Sequence, residues 1–247
     1  MSAHSYAAIF RWRGLKTVGV MNRPAGREGR RFPAVLFLHG FPGAEKNVDV
    51  QRRLLASGVA SYSLYFAGAW GSEGRYRFSD QIAQARAALR FLARQPFVDR
   101  KRLGVFGFSM GGWAALNVAG LEPGLRAAVA AAPVGGPDMV GRGSLEFVRR
   151  SSRPLRALAP RALQRDFCAS VTRSDPAAAA SRKRCPLLLV HGDADQVIPL
   201  SASRRILAAA AEPKRLVIAS GARHDFLDRR EWFSRLVADW LKARLRA

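Results

Sequence analysis

The stretch VFGFSMGG, residues 105–112, sets one serine among three glycines directly behind an apolar run. Gly107 precedes Ser109 by two positions, and Gly111 and Gly112 follow it. The run 101–109 reads as a buried strand, and GGWAALNVAG (111–120) reads as the helix behind it. A buried strand that passes into a helix does not need three glycines. A very tight strand-to-helix turn does, because residues without a Cβ let the backbone double back without collision. Such a turn presents the side chain at its tip, Ser109.

Outward from this point the chain alternates between two periodicities. Residues 6–12 and 15–22 read as short strands joined by a turn at Arg13-Gly14. FPAVLFLHG (32–40) is a continuous apolar run closed by glycine, and VASYSLYF (59–66) is another strand. Residues 125–134, 186–191 and 214–220 complete a set of eight strands. Helical spacing is found at 45–57, 79–95, 201–211 and 230–245. Strands alternating with helices predict a mostly parallel eight-stranded sheet with helices on both faces, an α/β fold, with the first two strands as an antiparallel edge. From 135 to 183 the pattern loosens, and 145–148 and 155–158 read as two short helices within it. There is no internal repeat and no linker that would separate two domains.

The chain has 247 residues, 49% apolar and 24% charged, which is ordinary for a globular protein. No run approaches the 18 or so apolar residues of a membrane span. The first residues lack the basic-then-apolar layout of a signal peptide, so a cytoplasmic location is expected. The two cysteines, Cys168 and Cys185, are expected as reduced thiols, without neighbours at metal-ligand spacing. The net charge of +23 is almost all arginine, 35 residues against 6 lysines. The basic pairs are scattered along the chain and no nucleic-acid motif accompanies them, so no specific nucleic-acid partner is expected, only weak, salt-sensitive polyanion binding. The oligomeric state is not legible.

In a parallel sheet, reactive groups collect at the carboxyl ends of the strands. Three chemical groups fall there: Ser109 after strand 103–108, Asp195 after strand 186–191, and His224 after strand 214–219. A serine hydroxyl needs an adjacent base, histidine suits that task near neutrality, and a carboxylate can orient the histidine. Gly107-Phe108-Ser109-Met110-Gly111 matches G-x-S-x-G, the nucleophile elbow. The N–H of Met110, at the start of the following helix, is placed to donate to an oxyanion. Asp193 is the rival carboxylate, though its place suits a turn former. His39 and His191 precede glycines at strand ends, where a structural hydrogen bond is expected, and His4 lies in a terminus expected to fray.

These residues resemble the α/β-hydrolase superfamily over nearly the whole chain. The order Ser109, Asp195, His224 is that family's order. Leu38-His39-Gly40-Phe41-Pro42-Gly43 resembles the loop that supplies its second oxyanion donor, and the resemblance gives that role to the N–H of Phe41. His191-Gly192-Asp193-Ala194-Asp195 with Val197-Ile198-Pro199 resembles the family's acid loop, with Asp195 at the acid position. Ser220-Gly221-Ala222-Arg223-His224 resembles its histidine loop. The nearest likeness is to small bacterial enzymes of the prolyl-oligopeptidase-like and dienelactone-hydrolase-like groups. Ala69-Trp70-Gly71-Ser72-Glu73-Gly74, with Phe78 and Asp80, resembles the loop after their fourth strand. Dienelactone-type enzymes use cysteine where this chain has Ser109, so lactone chemistry does not carry over. Prolyl oligopeptidases carry a propeller that this length does not accommodate.

The resemblance implies one α/β-hydrolase domain over 1–247, with a cap or lid at 135–183. It implies a serine hydrolase that cleaves a carboxylic ester, thioester or amide of a small acyl substrate. Neither a cofactor nor a metal is needed. A peptidase of the prolyl-oligopeptidase-like group and a non-catalytic binding protein on the same fold are the alternatives.

Overall fold

The computed structural model describes residues 2–136 and 144–246. Strands β1 (His4–Trp12) and β2 (Leu15–Arg23) form an antiparallel hairpin. Arg13 and Gly14 close it with φ of 49° and 80°, the two positive values that a two-residue hairpin turn of matching twist requires. His4 pairs with Arg23 across this hairpin, so the expected fraying there is not found. Next come β3 (Phe32–Leu38), β4 (Ala60–Leu64), β5 (Val98–Phe108), β6 (Ala127–Ala131), β7 (Leu187–Gly192) and β8 (Lys214–Ala219). The eight strands lie in the order β1-β2-β4-β3-β5-β6-β7-β8. All pairs from β4 to β8 are parallel, and β2 joins β4 antiparallel.

The apolar runs of the central strands are buried on both faces, and each face has its own core. Ala34, Leu36 and Leu38 of β3 face one side, packed with helices α2 (Gln81–Ala93), α3 (Met110–Leu121) and α7 (Leu200–Ala209). Val35 and Phe37 face the other, packed with α1 (Val48–Ala56) and α8 (Arg230–Arg246). The period of two along the strand thus feeds two separate cores. Helix α3 is buried from Met110 to Ala119, which explains its near-uniform apolar composition. Trp113 Nε1 donates to the Ser174 carbonyl at 2.8 Å, and Asn117 Nδ2 donates to the same oxygen at 3.2 Å and to the Trp113 carbonyl within the helix at 3.0 Å.

Between β6 and β7 lie α4 (Ser144–Ser151), α5 (Pro160–Arg173) and α6 (Pro176–Arg182). Residues 137–143 of the expected cap lie outside the described residues. The helix read at 145–148 is part of α4. The helix read at 155–158 is not formed. Ala157 instead bridges Tyr76, with Arg156 N donating to the Gly68 carbonyl at 2.8 Å and Tyr76 N to the Arg156 carbonyl at 2.9 Å. The backbone groups of this stretch pair with the glycine-rich loop instead of with one another. Among the described residues, no helix is long and apolar enough to cross a membrane.

Candidate active site

Ser109 stands at the junction of β5 and α3 with φ 55° and ψ −117°, a conformation that side-chain-bearing residues rarely adopt. Neighbouring main chain makes Gly107 and Gly111 obligatory, while a Cβ on Gly112 would meet nothing nearer than 3.0 Å. A Cβ on Gly107 would sit 1.9 Å from the Gly111 carbonyl oxygen, and one on Gly111 2.1 Å from the Leu38 carbonyl oxygen. The strained residue is fixed by Ser109 N donating to the Ala131 carbonyl at 2.8 Å, and by its own carbonyl accepting from Gly112 N at 2.9 Å.

The loops after β7 and β8 are laced together. Asp193 N donates to the Ala219 carbonyl at 3.3 Å, Ala194 N to the Ala222 carbonyl at 3.2 Å, and Gly221 N to Asp193 Oδ1 at 2.6 Å. Gly192 is needed for this approach, since its Cβ would meet the Ala222 oxygen at 2.0 Å. Asp193 therefore shapes the loops, and the carboxylate that reaches the histidine is Asp195. His224 Nδ1 lies 2.7 Å from Asp195 Oδ2, and His224 Nε2 lies 3.1 Å from Ser109 Oγ. A carboxylate only accepts, so Nδ1 carries the proton and Nε2 is free to accept from the serine hydroxyl.

Asp195 has no exposed side-chain surface. Burial alone would raise its pKa. Hydrogen bonds from His191 and His224, with the Ile198 N–H, outweigh that and hold the carboxyl well below the usual carboxylate range. Oδ1 accepts from Val197 N at 2.8 Å and Ile198 N at 2.9 Å. The carboxylate is thus kept ionised beside the histidine. Asp225, next in sequence to His224, accepts instead from Leu227 N at 3.2 Å.

Met110 is the first residue of α3, so its N–H has no acceptor within the helix. The loop bearing Phe41 runs along the other side of the serine: a Cβ on Gly40 would stand 3.0 Å from Ser109 Cβ. His39, buried beneath that loop, has Nδ1 2.7 Å from the Gly40 carbonyl oxygen, and its Nε2 accepts from Phe66 N at 3.3 Å. Burial pushes its pKa down to about 4, against the Gly40 hydrogen bond and together with nearby Lys46. His39 is a neutral prop for the loop.

The Phe41 ring packs against Tyr76 at 5.6 Å, Phe78 at 5.3 Å and Phe147 of α4 at 6.1 Å, and Phe78 meets Phe167 of α5 at 5.2 Å. Asp166 of α5 accepts from Phe78 N at 2.6 Å. These aromatic and acidic contacts join α4 and α5 to the loop flanking the serine. Sequence reading missed them, because helix α5 itself was not read. Among the described residues, no three His, Cys, Asp or Glu side chains come together that could hold a metal ion.

With this geometry in place, comparison with known proteins gives the lineage. Residues 57–247 match the prolyl oligopeptidase family. The chain belongs to that family. An uncharacterized protein of Mycobacterium tuberculosis is 31% identical over 78% of this chain, and the match spans 63% of that protein. A 2,6-dihydroxy-pseudo-oxynicotine hydrolase superposes with a TM-score of 0.80 at 21% identity, covering 98% of this chain and 68% of that one. Est1E from Butyrivibrio proteoclasticus, with ferulic acid bound, superposes with a TM-score of 0.79 at 20% identity, covering 98% of this chain and 100% of that one. The sheet and helices are therefore those of the α/β-hydrolase fold.

Proposed function

We propose that this prolyl-oligopeptidase-family protein is a serine hydrolase that cleaves a small carboxylic ester through an acyl-enzyme. The observation that carries the proposal is the unbroken chain Ser109 Oγ, His224, Asp195, at 3.1 and 2.7 Å. Ser109 attacks the ester carbonyl while His224 Nε2 takes its proton. The tetrahedral oxyanion is held by the N–H groups of Phe41 and Met110, each worth about 3–4 kcal/mol in comparable sites. His224 returns the proton to the leaving alcohol. It then activates a water that hydrolyses the acyl-enzyme, and Asp195 stabilises the imidazolium in both halves.

Helices α4 and α5, joined to the Phe41 loop through Phe147, Phe167 and Asp166, act as the cap that walls the acyl group within the one α/β-hydrolase domain. An ester is the less demanding bond to cleave, and this fold is shared both by the ferulate-bound esterase and by a puromycin-hydrolyzing peptidase of Mycobacterium tuberculosis, so the choice between ester and peptide falls to the assay. A cytoplasmic setting, with Cys168 and Cys185 as free thiols, and weak polyanion association belong to the same proposal.

The test is labelling with a fluorophosphonate probe, followed by turnover of p-nitrophenyl esters of increasing acyl length beside aminoacyl p-nitroanilides. Ser109→Ala should abolish labelling and lower kcat by about a millionfold. Labelling that persists in this variant would show the nucleophile to be another residue. Faster turnover of anilides than of esters would make the protein a peptidase.

A further inference from the structure

Asp195 touches a second imidazole. His191, wholly buried at the end of β7, places Nε2 2.9 Å from the Ile198 carbonyl oxygen and 3.3 Å from Asp195 Oδ2. Its Nδ1 lies 2.7 Å from Ser203 Oγ, on a wholly buried part of α7. The carbonyl only accepts, so Nε2 carries a proton, and in the neutral ring Nδ1 accepts from the Ser203 hydroxyl. Ile198 N returns to Asp195 Oδ1 at 2.9 Å, which closes a ring of contacts from His191 through Ile198 to Asp195 and back. A buried imidazole that only satisfied the Ile198 carbonyl would have no reason to face the carboxylate oxygen shared with His224.

We propose that His191 is a positioning residue for the triad: braced by Ser203 and Ile198, it fixes the rotation of the Asp195 carboxylate and draws off part of the charge that faces His224. This rests on the serine-hydrolase reading above. Of the titratable groups on the surrounding elements, His191 and His224 face Asp195. Asp193 is turned to Gly221 N, Asp225 to Leu227 N, and Arg223 to Asp228. On α7, Arg205 pairs with Asp175 and reaches the Gly135 carbonyl, while Arg204 is exposed. Without the His191 Nε2–H dipole, which points at the Ile198 carbonyl but lies 3.3 Å from Oδ2, that oxygen binds the His224 Nδ1–H more strongly. The imidazolium then forms more easily, and the free base that catalysis needs persists only at higher pH.

The experiment measures kcat and KM for p-nitrophenyl acetate between about pH 5 and 9 in wild type, His191→Phe, His191→Gln and Ser203→Ala. His191→Phe should move the acid limb of kcat/KM to higher pH and lower kcat about tenfold, the equivalent of one lost bond to a charged acceptor, with KM little changed. His191→Gln, which keeps an N–H donor, should restore part of both. Ser203→Ala leaves the imidazole but removes its brace, and should move the limb the same way by less. A folded His191→Phe with the wild-type acid limb would overturn the proposal. Should that variant fail to fold, an unmoved limb in Ser203→Ala would do so. Asp195→Asn separates the two levels: full activity in that variant sinks the triad itself, whereas its inactivation beside an unmoved limb in the His191 variants sinks only the role given to His191.

Discussion

Gly107→Ala tests whether main-chain clearances place Ser109, the proposed nucleophile. The new Cβ would lie 1.9 Å from the Gly111 carbonyl oxygen, 2.3 Å from its carbon and 2.7 Å from Gly112 N. Real Cβ atoms essentially never come within 3.0 Å of another atom, and all three neighbours are backbone. No rotamer change relieves the clash, so the first turn of α3 must retreat from β5 by about 1 Å. Overpacking of this kind costs about 1–3 kcal/mol, and in a chain of this length each kcal/mol lowers Tm by roughly 2–4 °C. The loss of activity should be larger. Ser109 Oγ sits 3.1 Å from His224 Nε2, and a displacement of about 1 Å costs on the order of a hundredfold. Met110 N–H moves with the same turn. The assay pairs thermal unfolding with kcat/KM for a p-nitrophenyl ester, beside Gly124→Ala, whose Cβ meets nothing within 4 Å. That control should stay within about 0.5 kcal/mol of wild type. A Gly107→Ala protein with wild-type Tm and kcat/KM, or equal damage from both alanines, would refute the reasoning.

Acid should act on His39. Its pKa falls from 6.5 to about 4 on folding, chiefly through burial, so the unfolded chain takes up the proton first as pH drops. The stability this contributes is complete above pH 6.5 and is lost down to about pH 4, a change of about 3 kcal/mol; denaturant titrations across that range should show it in wild type and not in His39→Gln. Asp195 has a folded pKa below its unfolded one, so its contribution is present at neutral pH and lost as pH falls through and below the ordinary carboxylate range. Asp195→Asn should therefore lower kcat by about ten-thousandfold and cost stability at pH 7, with the stability gap to wild type narrowing below about pH 4. Asp166→Ala removes the acceptor of Phe78 N and Ser79 N, and calorimetry should show a loss of about 1 kcal/mol.

The strands were the most legible part, because two-sided burial writes itself as unbroken apolar runs such as 32–38 and 187–190. The elbow was legible for a related reason: Gly107 and Gly111 face backbone that admits no Cβ, and sterics of that severity leave a mark in residue type. The choice of Asp195 over Asp193 was legible in the acid-loop resemblance, and its physical reason is that Gly221 N claims Asp193 while Asp195 meets His224. Helix α5 escaped notice because its buried positions, Leu163, Ser170 and Val171, are few and one is polar, although Pro160 at its start is a good N-terminal signal. The stretch 155–158 misled in the opposite sense. Its Leu155 and Leu158 are spaced for a helix, while its backbone finds partners in the loop 68–76. His191 lies four residues before Asp195; Gly192 and Asp193 between them suit a turn, but residue types alone do not show that this turn sets the imidazole against the carboxylate.

The walls of the elbow are carbonyls of Leu38, His39 and Gly111, whereas Phe41 is flanked by side chains of α4 and the segment before α2, which α5 backs through Phe167. Tolerance to substitution is therefore divided within a few ångströms. On the serine-hydrolase reading proposed above, a library randomised over residues 144–173 would change the side chains around Phe41 while the backbone that holds Ser109 keeps its clearances.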